Sequence, residues 1–299
     1  MNLLRCSALS KRYGNKLALD KVDLTLETGS PIALVGPNGA GKTTLMSLLL
    51  GFIKPSSGDI KVFGKQPGST ALLGKVAALP QDAALDPDFS LATQLALYAR
   101  LHGFSNKAAA REVQRVLALV GLADAANALP KALSHGMSKR AAIAQALIGN
   151  PKLVLLDEPT AGLDPVNARH VRDLVTELAG DITFIISSHN LEELEKLCGK
   201  VLYLDHGKLS QAVDLTKPDS QAYLTLQMQP CDMTALQTQL QKLPGVEAIQ
   251  PSGKHTLVLR YQPEHAGQLD IQLLQLLQQQ QLAYRMLLKG RTLEDQLFS

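Results

Sequence analysis

Residues Gly36-Pro37-Asn38-Gly39-Ala40-Gly41-Lys42-Thr43-Thr44 set three glycines, a lysine and two threonines in the spacing G-x-x-x-x-G-K-[ST]. That pattern can do one kind of chemistry well. The glycines let successive backbone N–H groups curl round phosphate oxygens, the lysine reaches the β- and γ-phosphates, and the Thr43 hydroxyl is placed to hold Mg²⁺. The chemistry needs a strand before the loop and a helix after it, so that the helix N-terminus points at the anion. The flanks comply: Pro31–Val35 is a short apolar run, and Thr43–Leu50 reads as a helix. A second chemical element is Leu153-Val154-Leu155-Leu156-Asp157-Glu158. Four apolar residues make a buried strand, and two carboxylates leave its carboxyl end, where ligands sit on open α/β sheets. Asp157 can hold a divalent cation, and Glu158 can orient or deprotonate an attacking water. A third element is Leu133-Ser134-His135-Gly136-Met137, followed by Lys139 and Arg140. Ser134 can cap a helix there, and Gly136 opens its first amides to an anion.

The elements that must position these groups alternate along residues 1–217. Strand-like runs are Leu17–Leu26, Pro31–Val35, Leu153–Asp157, Thr183–Ser187 and Val201–Leu204. Helix-like runs are Thr43–Leu50, Leu91–Leu101, Ala108–Val120, Lys139–Ile148, Ala168–Leu178 and Leu191–Leu197. Continuous apolar strands between amphipathic helices imply a parallel or mixed sheet buried on both faces. Composition changes after Lys217-Pro-Asp-Ser220, where glutamine becomes dominant. The tail, 218–299, reads as strand, helix, strand, strand, helix, strand, the βαββαβ order of ferredoxin-like domains. Gln278–Gln281 follows Leu269, Leu273, Leu276 and Leu277, so we read a helix with a glutamine-rich solvent side.

Composition narrows the function. A net charge of +3 over 299 residues gives no general electrostatic reason to bind nucleic acid. Cys6, Cys198 and Cys231 are isolated in sequence, which argues against zinc and against a disulfide framework. Met1–Tyr13 has no apolar core of signal-peptide length, and no apolar run approaches the roughly 20 residues of a membrane-spanning helix. A membrane role would need a second chain.

Taken together, these motifs resemble the nucleotide-binding subunit of ATP-binding cassette (ABC) transporters over about residues 3–217. The resemblance implies a P-loop ABC ATPase domain of α/β class carrying a smaller C-terminal α+β domain, with ATP and Mg²⁺ as cofactors. The family signature LSGGQ matches as Leu133-Ser134-His135-Gly136-Met137, with Ser134 and Gly136 kept and His135 and Met137 departing. Its Gly-Met pairing looks like the ABC-2 branch of exporters. The remaining roles come from the resemblance alone. Tyr13 stacks on adenine. Gln81 contacts Mg²⁺ and faces the membrane partner. Asp164, in Ala161-Gly-Leu-Asp164-Pro165, belongs to the segment that crosses to a second subunit, and His189 reaches the γ-phosphate. Relatives often carry an acidic residue where Thr93 stands. The family further implies a homodimer with two composite ATP sites, an integral-membrane permease as partner, and a place on the cytoplasmic face of the membrane. An importer ATPase with a substrate-sensing tail, or a soluble ABC ATPase outside transport, are the alternative readings.

Overall fold

The structure, a computed structural model, describes residues 2–188, 190–215 and 222–298. They fall into two compact units, Met1–Leu215 and Thr216–Ser299.

The first unit begins with β1 (Asn2–Tyr13), β2 (Lys16–Glu27), β3 (Ile32–Val35), α1 (Lys42–Leu50), β4 (Ser57–Val62) and β5 (Val76–Leu79). Three helices follow, α2 (Leu91–Leu101), α3 (Asn106–Leu119) and α4 (His135–Ala146). It closes with β6 (Leu153–Asp157), α5 (Pro165–Leu178), β7 (Thr183–Ser187), α6 (Leu191–Leu197), β8 (Lys200–Asp205) and β9 (Lys208–Asp214). Its main sheet runs β5-β6-β7-β3-β8-β9, parallel throughout except for the antiparallel β8–β9 pair. Helices cover such a sheet on both faces, so β3 and β7 are buried at every residue and β6 at all but its last. A separate antiparallel sheet, β2-β1-β4, packs its leucines with those of α1 into one core. Sequence reading found β2 of this sheet but neither β1 nor β4, and it missed β5 and β9 of the main sheet.

Helix ends follow local chemistry. Ser90, Ser134 and Asp164 accept from amides of the first turns of α2, α4 and α5, and Pro165 stands at the first position of α5. The Ser134 cap starts α4 at His135, four residues before the sequence expectation of Lys139. Cys6 and Cys198 are buried, and burial pushes each thiol up to about 12.

The second unit holds β10 (Ala222–Met228), α7 (Met233–Leu240), β11 (Val246–Pro251), β12 (Thr256–Tyr261), α8 (Ala266–Gln279), β13 (Tyr284–Lys289) and α9 (Leu293–Phe298). Its antiparallel sheet, β11-β12-β10-β13, has the ferredoxin-like strand order. Leu269, Leu273 and Leu277 of α8 are buried against it, each stabilising the unit by about 2 kcal/mol, while Gln278–Gln281 stay exposed. The short α9 was not anticipated. Thr292 and Asp295 cap it reciprocally: the Thr292 hydroxyl donates to Asp295 Oδ2 at 2.6 Å, and the Asp295 amide donates back at 3.1 Å. Ser252, in the β11–β12 turn, also donates to Asp295, which pins α9 to the hairpin.

Candidate active site

The glycine loop owes its shape to how closely other backbones approach it. Gly36 and Gly41 adopt φ of +153° and +109°. A Cβ on Gly36 would overlap the Leu204 carbonyl oxygen, and one on Gly41 would lie 2.5 Å from the Ala18 carbonyl oxygen. The loop therefore nests against β8 and β2 at a distance only glycine permits. Within it, Lys42 is buried, and its ammonium donates to the carbonyls of Gly36 at 2.6 Å and Pro37 at 3.2 Å. Burial lowers the lysine below its usual range, and the charges of Glu158 and Asp157 partly restore it.

The carboxylates are set by β6 and its neighbour β7. Asp157 Oδ1 accepts from the Ser187 hydroxyl, and Asp157 Oδ2 lies 3.5 Å from the Thr43 hydroxyl. The next residue, Glu158, turns the chain with a left-handed φ of +49°. Its amide is held by Ser187, donating to the carbonyl at 3.2 Å and to Oγ at 3.0 Å, and its side chain is buried. A non-glycine residue at that φ costs energy, which these bonds to β7 offset.

One cavity of about 260 Å³ gathers most of these groups: Tyr13, Asn38–Thr44, Gln81, Asp157 and Glu158. Half-exposed Tyr13 stands at its edge with the Lys11 ammonium 5.1 Å from its ring centroid. Gly36 and Pro37 lie just behind the lining, reached through their bonds to Lys42. The oxygen donors of Thr43, Gln81 and Asp157 suit a hard cation that completes its shell with phosphate and water. Among the described residues, no cluster of three His, Cys, Asp or Glu side chains forms a self-sufficient metal cage.

Ser134, Gly136 and Asp164 do not line this cavity. They form a separate constellation at the starts of α4 and α5. Gly136 leaves no room for a Cβ because the Asn167 side chain lies against it, and Asn167 Nδ2 donates to Asp164 Oδ2 at 2.6 Å. Backbone and side-chain bonds from Asn167 hold the exposed Asp164 carboxyl below its usual range. His189 lies outside the described residues. Its neighbours Ser188 and Asn190 line a larger cavity of about 540 Å³ that also contains Glu158. That cavity has no glycine loop, and its Arg172 and Glu193 pair with each other at 2.6 Å.

Two lysines enter the site that sequence reasoning did not assign to it. Lys16 lines the phosphate cavity beside Tyr13. Lys139, on α4, donates to the Gln81 carbonyl at 3.3 Å. Burial lowers its ammonium, while Asp157, Asp82 and Glu158 pull it back up. The only signal for Lys139 was its place one turn beyond the Ser134 cap.

A family model described as ABC transporter matches residues 19–161. The Nod factor export ATP-binding protein I of Cupriavidus metallidurans is 37% identical over 210 residues, covering 69% of each chain. The protein of the same name from Burkholderia lata is 38% identical over 204 residues, covering 67% of each. Among solved structures, cbiO1 from Clostridium perfringens, part of the ABC transporter complex cbiONQ, aligns with a TM-score of 0.65 at 27% identity. That alignment covers 72% of this chain and 89% of the other.

Proposed function

The chain belongs to the ABC transporter family as an ATP-binding, ATP-hydrolysing subunit, and from that premise we propose that it works as a homodimer that powers export through a separate integral-membrane permease. The observation that carries the site assignment is the single cavity joining Tyr13, the Gly39–Thr44 loop and the Asp157–Glu158 pair. Tyr13 stacks on the adenine. The loop amides and Lys42 hold the phosphates, and charge that develops on the γ-phosphate meets fixed dipoles that need no reorganisation. Thr43, Asp157 and Gln81 would hold Mg²⁺, which would supply charge neutralisation at the phosphates. Glu158 orients and deprotonates the attacking water, and the family resemblance assigns His189 to the γ-phosphate.

The other half of each site comes from the second copy. Support lies in the separation of Ser134, Gly136 and Asp164 from the lining of the glycine loop's cavity, at the starts of α4 and α5. Such a helix N-terminus presents free amides and a favourable dipole to an anion supplied from across an interface. Export is supported by the names of the relatives, both export ATP-binding proteins. A permease partner is supported by the same names, and among the described residues no helix is long and apolar enough to cross a membrane. The chain then sits at the cytoplasmic face of the membrane through that partner, with residues 1–217 as the ATPase domain and 218–299 as an accessory domain.

Mixing a Lys42→Ala copy with a Ser134→Arg copy tests the composite site. Each homodimer is inactive, and the mixed dimer recovers one working site of two. Complete inactivity of a verified mixed dimer, or a crosslink joining Ser134 to Lys42 within one copy, overturns the assignment.

A further inference from the structure

Three of the strands that end beside the glycine loop carry a second cavity at their opposite ends. β5, β6 and β7 are adjacent and parallel. Just beyond their carboxyl ends or at their last residues stand Gln81, Asp157 and Ser187. Just before their amino ends, or at their first residue, stand Lys75, Lys152 and Thr183, and these three line a cavity of about 410 Å³. Its apolar wall includes Phe63 and buried Leu72. Lys65, from the turn after β4, joins Lys75 and Lys152 at the rim.

Charge distinguishes this cavity from an ordinary crevice. Lys65, Lys75 and Lys152 come from three separate segments and converge on one space. Among the described residues none of them makes an ion pair, and Asp181 is the one carboxylate lining the cavity. Three lysines against one carboxylate give the lining an excess of two positive charges beside apolar Phe63, Ala71 and Leu72. Like charges so gathered repel, and an anion placed among them relieves that repulsion. The volume falls within the roughly 300–1,000 Å³ range of small-molecule sites. Lysine stems can lie along apolar surface while their heads reach an anionic group.

We propose that this cavity binds an amphipathic anion, with a phosphate or carboxylate head among Lys65, Lys75 and Lys152 and a short apolar tail against Phe63 and Leu72. The ligand class follows from the pairing of the two surfaces: an inorganic anion leaves the apolar wall wet, and a neutral apolar molecule leaves the three ammoniums unneutralised. The site lies at the far end of the strands from the glycine loop, so it fills independently of nucleotide.

Calorimetric titration of the full chain, with the nucleotide site first saturated by ADP, tests this with octyl phosphate below its micelle concentration. The expected result is saturable one-site binding, at least tenfold tighter than that of inorganic phosphate or octanol. Lys75→Glu and Lys152→Glu each weaken it at least tenfold, and Lys75→Arg retains it. Lys131→Glu, an exposed charge reversal outside the cavity, changes it less than twofold. All three reversed lysines are exposed, and circular dichroism verifies that each variant is folded. Absence of saturable binding, displacement of the probe by further ADP, or equal affinity in the charge-reversed cavity variants overturns the proposal. Cosedimentation with phosphatidylglycerol vesicles separates the sources of the anion. Vesicle binding that is lost in Lys75→Glu assigns a lipid headgroup, and octyl phosphate binding without vesicle binding assigns a soluble molecule.

Discussion

The two units differ in which buried charged groups they bring to a glycine loop. The first unit sets Lys42 and Glu158 beside one, although it also satisfies Gln94 and Ser187 internally, and the second unit has no such loop among its described residues. In Met1–Leu215 the buried Lys42 and Glu158 stand at the edge of cavities, on the carboxyl side of parallel strands. In Thr216–Ser299 the buried Thr225 and Asp295 bond within the unit: Thr225 donates to the Gly290 carbonyl at 2.8 Å, and Asp295, which also lines a cavity of about 240 Å³, caps α9 and holds Ser252. Left-handed backbone occurs in both units, at Ala8, Lys21, Phe63, Asn150, Glu158 and His206 in the first and at Gln281 in the second among the described residues. Of these, Glu158 lines the cavity that holds the glycine loop. The second unit's counterpart, Gln281, merely ends an exposed glutamine run. A parallel sheet sends every strand end on one side to the same surface, so loops there can share a ligand. An antiparallel sheet alternates its strand ends, and this one uses its loops to close itself. The contrast separates a unit built round a ligand from a unit built round its own core.

Substitutions can break that contrast, and the largest effect belongs to Lys42→Ala. It removes the one cation held inside the glycine loop, and ATP affinity measured by calorimetry should fall about 10³-fold, about 4 kcal/mol. The melting of the tail should not move. Affinity within twofold of the parent would take Lys42 out of the site. Glu158→Gln comes next. It should keep ATP binding within about threefold while slowing steady-state phosphate release by ~10²-fold, the size expected for a positioned base. Near-parental turnover would leave the buried carboxylate without the role assigned to it. Asp295→Ala probes the other unit. It strands the Thr292 and Ser252 hydroxyls and should cost about 1–2 kcal/mol of tail stability in urea, with ATP affinity unchanged. A change in ATP affinity would mean that the two units are not functionally separate. The smallest effect sharpens the same point: a chain ending at Lys217 should stay folded and bind ATP within twofold of the parent. A soluble, monodisperse truncated chain that does not bind ATP would make the tail part of the nucleotide site.

Much of this is legible in the sequence, because the governing physics is local. Gly36–Thr44 and Leu153–Glu158 announce themselves through residue type and spacing within a few positions. α2, α6, β6 and β7 match their sequence-based bounds, since a cap or a short run of β-branched and apolar residues suffices to set them. The βαββαβ order of the tail followed from alternating periods in the same way. The elements that escaped are those defined by partners. β1, with polar residues scattered among its leucines, is a strand because β2 and β4 pair with it on both sides. β5 is a four-residue run whose strand character depends on β6.

The sequence by itself therefore determined the phosphate chemistry, the α/β class of the first unit and the ferredoxin-like order of the second. Each is written in contiguous residues whose intrinsic preferences agree. Only the tertiary structure decided which distant residues meet. It brought Lys139 to Gln81, set Asn167 against Gly136, kept Ser134 and Asp164 out of the glycine loop's cavity, and gathered Lys65, Lys75 and Lys152 round an apolar wall. Such meetings follow from how strands order themselves in a sheet and how helices pack on it. Those choices are fixed by the burial of the whole core, and no single stretch of sequence carries them.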